Sequence, residues 1–510
     1  MEDRFVRVAT FRSLIAGIAV ALIASALGAQ IPQAEYAERR AALGRKMGDG
    51  VLLAIGAREP AQDYLTFYQS EPFTYLTGYT EPNAALVMVK QGGQTSATLF
   101  VEQRDPAAEV WTGKRFGAEG ATKATGIDAR PLAQLRPTLD SLLGAAAQLY
   151  VVGDVRIGSR PDDDGERVLS PDDQLVRALV ANHPSVKVSS ANLAVLTLRG
   201  TKSPAEQDLI KKAVSITVDA QRNAMRAIEP GMYEFEIQGL IEYTFRRNGA
   251  DRPSFSTIVG SGPNATTLHY NADDRLMNAG DVVVMDIGAS YRGYAADVTR
   301  TVPVSGTFTA EQRAIYQIVR DAQSAAERQA KPGARAQLMS DSASSALASG
   351  LARLGLIESP TATYDCGNAQ QPQQCPQLEL YYMHGLGHGI GLEVHDPDQF
   401  YFTGTVAAGS AFTIEPGIYV RENVLAILPE TSRNQALITK LRPAVDRYRN
   451  IGIRIEDDYL VTDRGLEWIS RAPREIGEVE ATMKETLADG AKRDADKLEW
   501  YRRTAGPQAP

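Results

Sequence analysis

Three of the five histidines in this 510-residue chain lie in one stretch, HGLGHGIGLEVH, from His384 to His395. His384 and His388 have the spacing of one helix face, but Gly385, Gly387, Gly389 and Gly391 oppose a helix there. The stretch therefore reads as an extended, glycine-lined segment, in which missing side chains let a ligand or another backbone approach closely. A glycine-rich loop with incidental histidines is the alternative for this stretch taken alone.

Four carboxylates have a related placement, each ending or interrupting an apolar strand-like run. Val282 to Ile287 carries Asp286, and Tyr294 to Val302 carries Asp297. A hairpin centred between Tyr291 and Arg292 sets these two acids directly opposite one another, with Cβ atoms about 5 Å apart. Like charges repel by roughly 4 kcal/mol at 4 Å and an effective dielectric near 20, so a cation is expected between them. Ala411 to Glu415 ends in Glu415, and in Ile451 to Leu460 the side chains of Arg454 and Glu456 share one face while Ile451, Ile453 and Ile455 share the other. Any one of these acids alone reads as a solvated edge residue. Four of them with an imidazole make a hard, oxygen-rich ligand set suited to paired manganese, iron, cobalt or zinc ions. Two such ions close together activate a bridging water and clamp the oxyanion formed when a carbonyl is attacked, which is hydrolase chemistry.

The elements that must position these groups follow from periodicity and punctuation. Tyr36 to Met47 reads as a helix and Gly50 to Ile55 as a strand. Further strands at Ala84 to Val89, Ala97 to Val101 and Leu149 to Val152, with a helix over Leu132 to Leu143, make a mixed α/β domain. His183, before a proline in a surface turn, receives no role. Ser203, Pro204 and Glu206 form the N-cap, first-turn proline and reciprocal glutamate of a helix start, marking a domain boundary. Helices follow at Glu234 to Asn248, Thr309 to Gln329 and Leu338 to Leu354. Residues beyond about Pro473 read as a charged, solvated helix and tail.

Arg4, Arg7 and Arg12, the apolar run Leu14 to Leu27 and the small residues after it have the layout of a secretory signal peptide, residues 1–29. The run is shorter than the roughly 20 residues of a membrane span. An exported protein, periplasmic or secreted, is expected, with an uncleaved membrane anchor as the alternative. Cys366 and Cys375, the two cysteines, share one Gln/Pro-rich loop. Export favours a disulfide between them, two buried free thiols being the alternative, and no further ligands stand nearby for structural zinc. With a net charge of -8 and no Lys/Arg cluster, a nucleic-acid partner is excluded.

The motifs TIVGSGPNATTLHY, VVVMDIGASYRGYAADVTRT, YMHGLGHGIGLEVHD, FTIEPGIYV and GIRIEDDYLVT, in that order, closely resemble the aminopeptidase P and prolidase family of metallopeptidases. YLTGYTEPNAALVMV and LFVEQRDPAAEVW look like that family's first domain, so the resemblance spans about residues 35–475. It implies an α/β (α+β) chain: a creatinase-like mixed α/β domain over 32–198, a pita-bread catalytic domain over 202–475, and a charged helix or tail over 476–510. Carried over residue by residue, it implies metal ligands at Asp286, Asp297, His388, Glu415 and Glu456. Asp286 would hold one ion, His388 and Glu415 the other, with Asp297 and Glu456 bridging, and two divalent ions, Mn2+ foremost, as cofactors. His269, His384 and His395 match histidines that contact substrate, stabilise the transition state or move protons. Glu415 is the implied general base, and Tyr419 and Arg454 fix the ligand carboxylates.

The implied activity is release of the N-terminal residue from peptides with proline second. Prolidase is the alternative, followed by methionine aminopeptidase; creatinase lacks this ligand set, and a non-catalytic pita-bread binding module is the reading from another class. Expected partners are proline-containing peptides and further copies of the chain as a homo-oligomer, with no stable membrane span after processing. Two stretches depart from the family pattern, the long connection Arg421 to Asn450 and the cysteine loop.

Overall fold

A computed structural model describes residues 30–487 apart from Asp63, residues 157–168 and Ala369. The stretch read as a signal peptide and residues 488–510 lie outside the described residues. The chain divides between Arg199 and Gly200 into two units.

The first unit is built on β1 (Gly50–Ile55), β2 (Ala85–Gln91), β3 (Gln94–Val101), β4 (Asp128–Pro131), β5 (Gln148–Val152) and β6 (Lys187–Ser190), in the order β4-β3-β2-β1-β5-β6. The central β1, antiparallel to β2 and parallel to β5, is apolar throughout because neither of its faces meets water. Leu135, Leu139 and Leu143, one helix turn apart, pack on this sheet with Leu53 and Val151. His183 ends the helix Pro171–Asn182, and its Nε2 lies 3.0 Å from Asp140 Oδ1, a structural contact.

The second unit begins with the helix Pro204–Ala227. Ser203 Oγ accepts from Glu206 N–H, and Glu206 accepts from Ser203 N–H in return. Its strands are β7 (Arg252–Pro253), β8 (Ile258–Ser261), β9 (Val282–Ile287), β10 (Ala289–Tyr291), β11 (Tyr294–Ala295), β12 (Val298–Pro303), β13 (Thr363–Asp365), β14 (Gln374–Pro376), β15 (Ala411–Ile414), β16 (Gly417–Val420), β17 (Ile451–Arg454), β18 (Asp457–Thr462) and β19 (Gly465–Trp468).

Two sequence expectations need correction. The hairpin carrying Asp286 and Asp297 turns at Arg292 and Gly293, both with positive φ (52° and 83°), the backbone of a two-residue turn that suits strand twist. Its centre therefore falls after Arg292. Asp286 pairs with Thr299, and Asp297 is displaced to the diagonal on the same face. In addition, neither long acid-bearing run is one strand. The first breaks at Ala296 and Asp297, and the second at Ile455 and Glu456, where the chain passes from β17, paired with β16, to β18, paired with β15. Ile414 pairs with Asp457 and Gly417 with Arg454, so between those pairs Glu415 falls opposite Glu456. The direct opposition of carboxylates expected for the aspartates belongs to the glutamates.

The two stretches that depart from the family pattern form one structure. β13 and β14 make a hairpin closed by a Cys366–Cys375 disulfide, the pairing expected of the two cysteines in this loop. It docks on the start of the helix Ser432–Tyr448: Asn434 Oδ1 accepts from Asp365 N–H at 3.1 Å and its Nδ2 donates to Asp365 O at 2.9 Å. Replacing both cysteines by serine is expected to lower stability by about 3 kcal/mol or less, as befits so short a loop. Alkylation with and without reductant checks the bond, and two reactive thiols in protein from an oxidising compartment would contradict it. The first turns of the C-terminal stretch are not fully solvated either. In the helix Ile476–Thr482, Val479 and Thr482 are buried, and Glu480 accepts from Arg313 and from Phe308 N–H.

Candidate metal centre

Asp297, Glu415 and Glu456 all sit where one strand stops and the next has not begun. Such breaks leave carbonyls without ladder partners, and buried carbonyls need donors. Two fully buried glutamines donate to carbonyls next to the acids. Gln221, on Pro204–Ala227, donates to Met285 O and Val298 O, the residues beside Asp286 and Asp297. Gln323, on the helix Ala310–Glu327, donates to Ile414 O and Ile455 O, beside Glu415 and Glu456.

The histidine segment is extended, as expected, and lies along β15. Thr413 N–H donates to His388 O, Glu415 N–H to Leu386 O and Ile390 N–H to Ala411 O. Its glycines serve mainly the protein's own backbone. A Cβ would lie 2.1 Å from Thr413 O at Gly387, 2.1 Å from Asp396 O at Gly389 and 1.9 Å from Asp396 Oδ2 at Gly391, whereas Gly385 faces open space.

His388 Nδ1 lies 3.2 Å from Gly389 O. A carbonyl can only accept, so Nδ1 carries the ring proton and Nε2 presents a lone pair. That lone pair lies 3.4 Å from Asp297 Oδ2, 3.4 Å from Glu415 Oε1 and 4.0 Å from Glu456 Oε1. One ligand atom each from Asp297, His388 and Glu456 lie within 4.8 Å of one another. His388 Nε2 and three carboxyl groups thus converge, and three buried carboxyl oxygens of the site, Asp286 Oδ1, Asp297 Oδ1 and Glu456 Oε1, have no hydrogen-bond partner. Buried polar atoms are seldom left so. Asp286 and Glu456 have their other oxygen engaged by Arg454 and Thr299 respectively, while the other oxygen of Asp297 faces the proton-free nitrogen of His388, so the donor set fits an oxygen-seeking cation.

Electrostatics agree. Asp297 is pushed well above the usual carboxylate range by burial and then by the charges of Glu456, Asp286 and Glu415. Glu456 is raised likewise, by burial, Glu415 and Asp286. Burial lifts Glu415 to about 7, with Arg454 opposing the rise. Burial lowers His388 to about 4, helped by His395, and lowers His384 to about 4, helped by Arg454 and, to a smaller extent, His269.

Around these groups runs an ordered chain of hydrogen bonds. Arg454 donates to Asp286 Oδ2, to Thr299 Oγ1 and, at 2.9 Å, to Tyr419 Oη. Arginine offers only donors, so the Tyr419 oxygen accepts and passes its own proton to His384 Nε2, 2.9 Å away. His384 Nδ1 then carries the ring proton, 2.8 Å from Gly385 O and 3.6 Å from Glu415 Oε2. The cation expected beside the aspartates is thus present for Asp286 alone. His395 is exposed, its ring 4.2 Å from that of His388. His269 is exposed on the turn after the short 3-10 helix Gly262–Thr266.

Sequence reading passed over three residues that hold the acids. Thr299 Oγ1 donates to Glu456 Oε2 at 2.6 Å and Thr413 Oγ1 to Glu415 Oε1 at 3.2 Å, while Asp458 accepts from Asp297 N–H at 3.0 Å. The threonines were findable, since each stands two residues from an acid on the same strand face. Asp458, reached from another strand, was not.

A match to metallopeptidase family M24 spans residues 208–463. The chain belongs to that family. Residues 36–151 match the aminopeptidase P N-terminal domain, which precedes the M24 unit. The Xaa-Pro aminopeptidase of Escherichia coli (strain K12) is 33% identical over 89% of this chain and 98% of its own length, and that of Haemophilus influenzae is equally similar, 33% over 89% and 98%. Among solved structures, proline aminopeptidase P II from Yersinia pestis covers 89% of this chain and 99% of its own, with a TM-score of 0.74 and 30% identity. A structure from Bacillus anthracis described as a putative aminopeptidase P gives 0.75 at 29% identity, over 89% and 99%. The M24 unit therefore has the pita-bread fold, and the chain is a metal-dependent aminopeptidase whose family membership implies divalent ions and peptide substrates. No helix among the described residues is long and apolar enough to cross a membrane.

Proposed function

We propose that this chain releases the N-terminal residue from peptides whose second residue is proline, using two divalent ions, Mn2+ foremost. Asp286, Asp297, His388, Glu415 and Glu456 are the residues that would hold them. The observation that carries this reading is the convergence of the proton-free nitrogen of His388 on three buried carboxyl groups, two of which, Asp297 and Glu456, each keep an oxygen without a donor. Bound there, the ions supply an activated water and a counter-charge for the oxyanion.

The chain's own residues do the rest. Glu415, steadied at Oε1 by Thr413, accepts the proton of the attacking water. His384 stays neutral, its ring oriented by Tyr419 and Arg454, with the Nδ1 proton on the side of Glu415. His269 and His395, exposed at the rim, offer donors to the scissile carbonyl and its oxyanion. An Xaa-Pro bond has no N–H for a general peptidase to hold, so recognition falls to donors on the carbonyl and to an apolar slot for the prolyl ring.

Arg-Pro-Pro and longer Xaa-Pro peptides are expected to lose their first residue in the presence of manganese faster than Xaa-Pro dipeptides do. Mass spectrometry of the products decides. Cleavage of dipeptides alone means prolidase, preference for N-terminal Met without proline means methionine aminopeptidase, and neither turnover nor bound metal means a binding module. We also propose export: the disulfide supports it, since reducing compartments disfavour such bonds.

A further inference from the structure

We infer that Glu234 is a positioning residue for the reaction, which gathers the loop carrying His269 onto one buried carboxylate. This rests on the role proposed above for His269.

Glu234 opens the helix Glu234–Arg247 and is fully buried. Its Oε1 accepts from Ser261 N–H at 2.6 Å, from Ser261 Oγ at 2.7 Å and from Asn264 Nδ2 at 3.3 Å. Its Oε2 accepts from Tyr270 Oη at 2.8 Å and from Arg275 N–H at 2.9 Å. Its own N–H donates to Arg275 O at 3.0 Å. A carboxylate has about four lone-pair sites, and these donors fill them, leaving none to face a ligand. The donors come from the start (Ser261, Asn264), the middle (Tyr270) and the end (Arg275) of a single loop, and Tyr270 is the immediate neighbour of His269. Arg275 also donates to Ser261 Oγ and to Asp281 at 2.7 Å each, tying the two ends of the loop together.

The loop is seated from its other side as well. A Cβ at Gly452 would lie 1.9 Å from Ala265 O, so only glycine lets the loop's first turn rest on β17, the strand that carries Arg454. A second pin, Asp273 Oδ1 accepting from Val259 N–H at 2.9 Å, holds the returning chain. His269 is exposed between these anchors, so its place relative to the site comes from the hub beneath it.

The test is a double-mutant cycle of Glu234→Gln and His269→Ala in the metal-loaded enzyme, with metal content by elemental analysis and hydrogen exchange over 262–276. Glutamine keeps the shape but replaces one acceptor oxygen with a donor, which must face N–H or O–H groups. Expected are a loss of about tenfold or more in kcat/KM, unchanged metal content, faster exchange confined to the loop, and little further loss when Glu234→Gln is added to His269→Ala. An equal loss in both backgrounds would show a merely structural role and overturn the inference, as would full activity of Glu234→Gln beside an impaired His269→Ala. Full activity of His269→Ala overturns the role given to that histidine and this inference with it. Should the glutamine variant fail to accumulate, Tyr270→Phe removes one hydroxyl from the hub and keeps the carboxylate. It should show a smaller loss with the same dependence on His269, and an equal loss in both backgrounds overturns the inference here too.

Discussion

Asp297→Ala is expected to abolish turnover, lowering kcat/KM by more than about a thousandfold, equivalent to some 4 kcal/mol of transition-state stabilisation. It should also reduce the bound metal, which elemental analysis measures. Asp297 is placed between both halves of the site: its Oδ2 faces His388 and its unpartnered Oδ1 is buried among Glu456, Asp286 and Glu415. The same crowding gives a second and opposite effect. Without ions, the Asp297 carboxyl is either ionised against its neighbours or protonated at a cost, so its removal relieves the stripped protein. The metal-free variant should therefore melt above the metal-free parent at neutral pH, and gain less on adding metal. Melting curves with and without chelator test the sign. A variant that keeps full turnover, or whose stripped form is less stable than the parent's, contradicts the assignment.

The stripped protein is expected to become less stable as pH rises above about 6.5, and the stabilisation it gains from divalent ions to grow over the same range. Burial and neighbouring acids raise Asp297 and Glu456 well above the carboxylate range, and burial raises Glu415 to about 7 against the pull of Arg454. A carboxyl raised in this way from its unfolded value of about 4 stabilises fully below that value and loses its contribution as pH climbs through the folded pKa. His384 and His388, lowered to about 4, contribute above their unfolded value of about 6.5 and lose that contribution as pH falls toward 4. Between about pH 4.5 and 6.5 the two trends oppose one another, and above 6.5 only the carboxyl trend remains. Ions at a thousand times their Kd stabilise by about 4 kcal/mol, so the rise in Tm on adding metal should be larger at pH 8 than at pH 6. An equal rise at both would show that these carboxyls are not the ones titrating.

Much of this was legible in the chain itself. Gly50–Ile55 is apolar without interruption and Val282–Ile287 is apolar but for Asp286, because these strands are buried on both faces, and Ser203 with Glu206 announces the helix that follows. The residues brought together at the centre are those the motifs singled out. The pairing of the aspartates was misplaced for a specific reason. A hairpin shifted by two residues keeps every side chain on its face, so alternation cannot distinguish Thr299 from Asp297 as the partner of Asp286. The breaks at Asp297 and Glu456 were hidden because β character continues on both sides of them, and only a change of partner strand reveals them. Gln221, Gln323 and Glu234 act on backbone groups far along the chain, which no local pattern records.

The way the breaks are satisfied separates the chemistry of this protein from its architecture. Glu456 N–H donates to Thr299 O, Glu415 N–H to Leu386 O and Asp297 N–H to Asp458, and carbonyls beside them are met by two glutamines. None of these backbone bonds uses an acidic side chain of the centre. One nucleotide change in a ligand codon can therefore silence the peptidase while every strand keeps its partner, leaving a folded shell free to acquire a role as a receptor for peptides it no longer cuts.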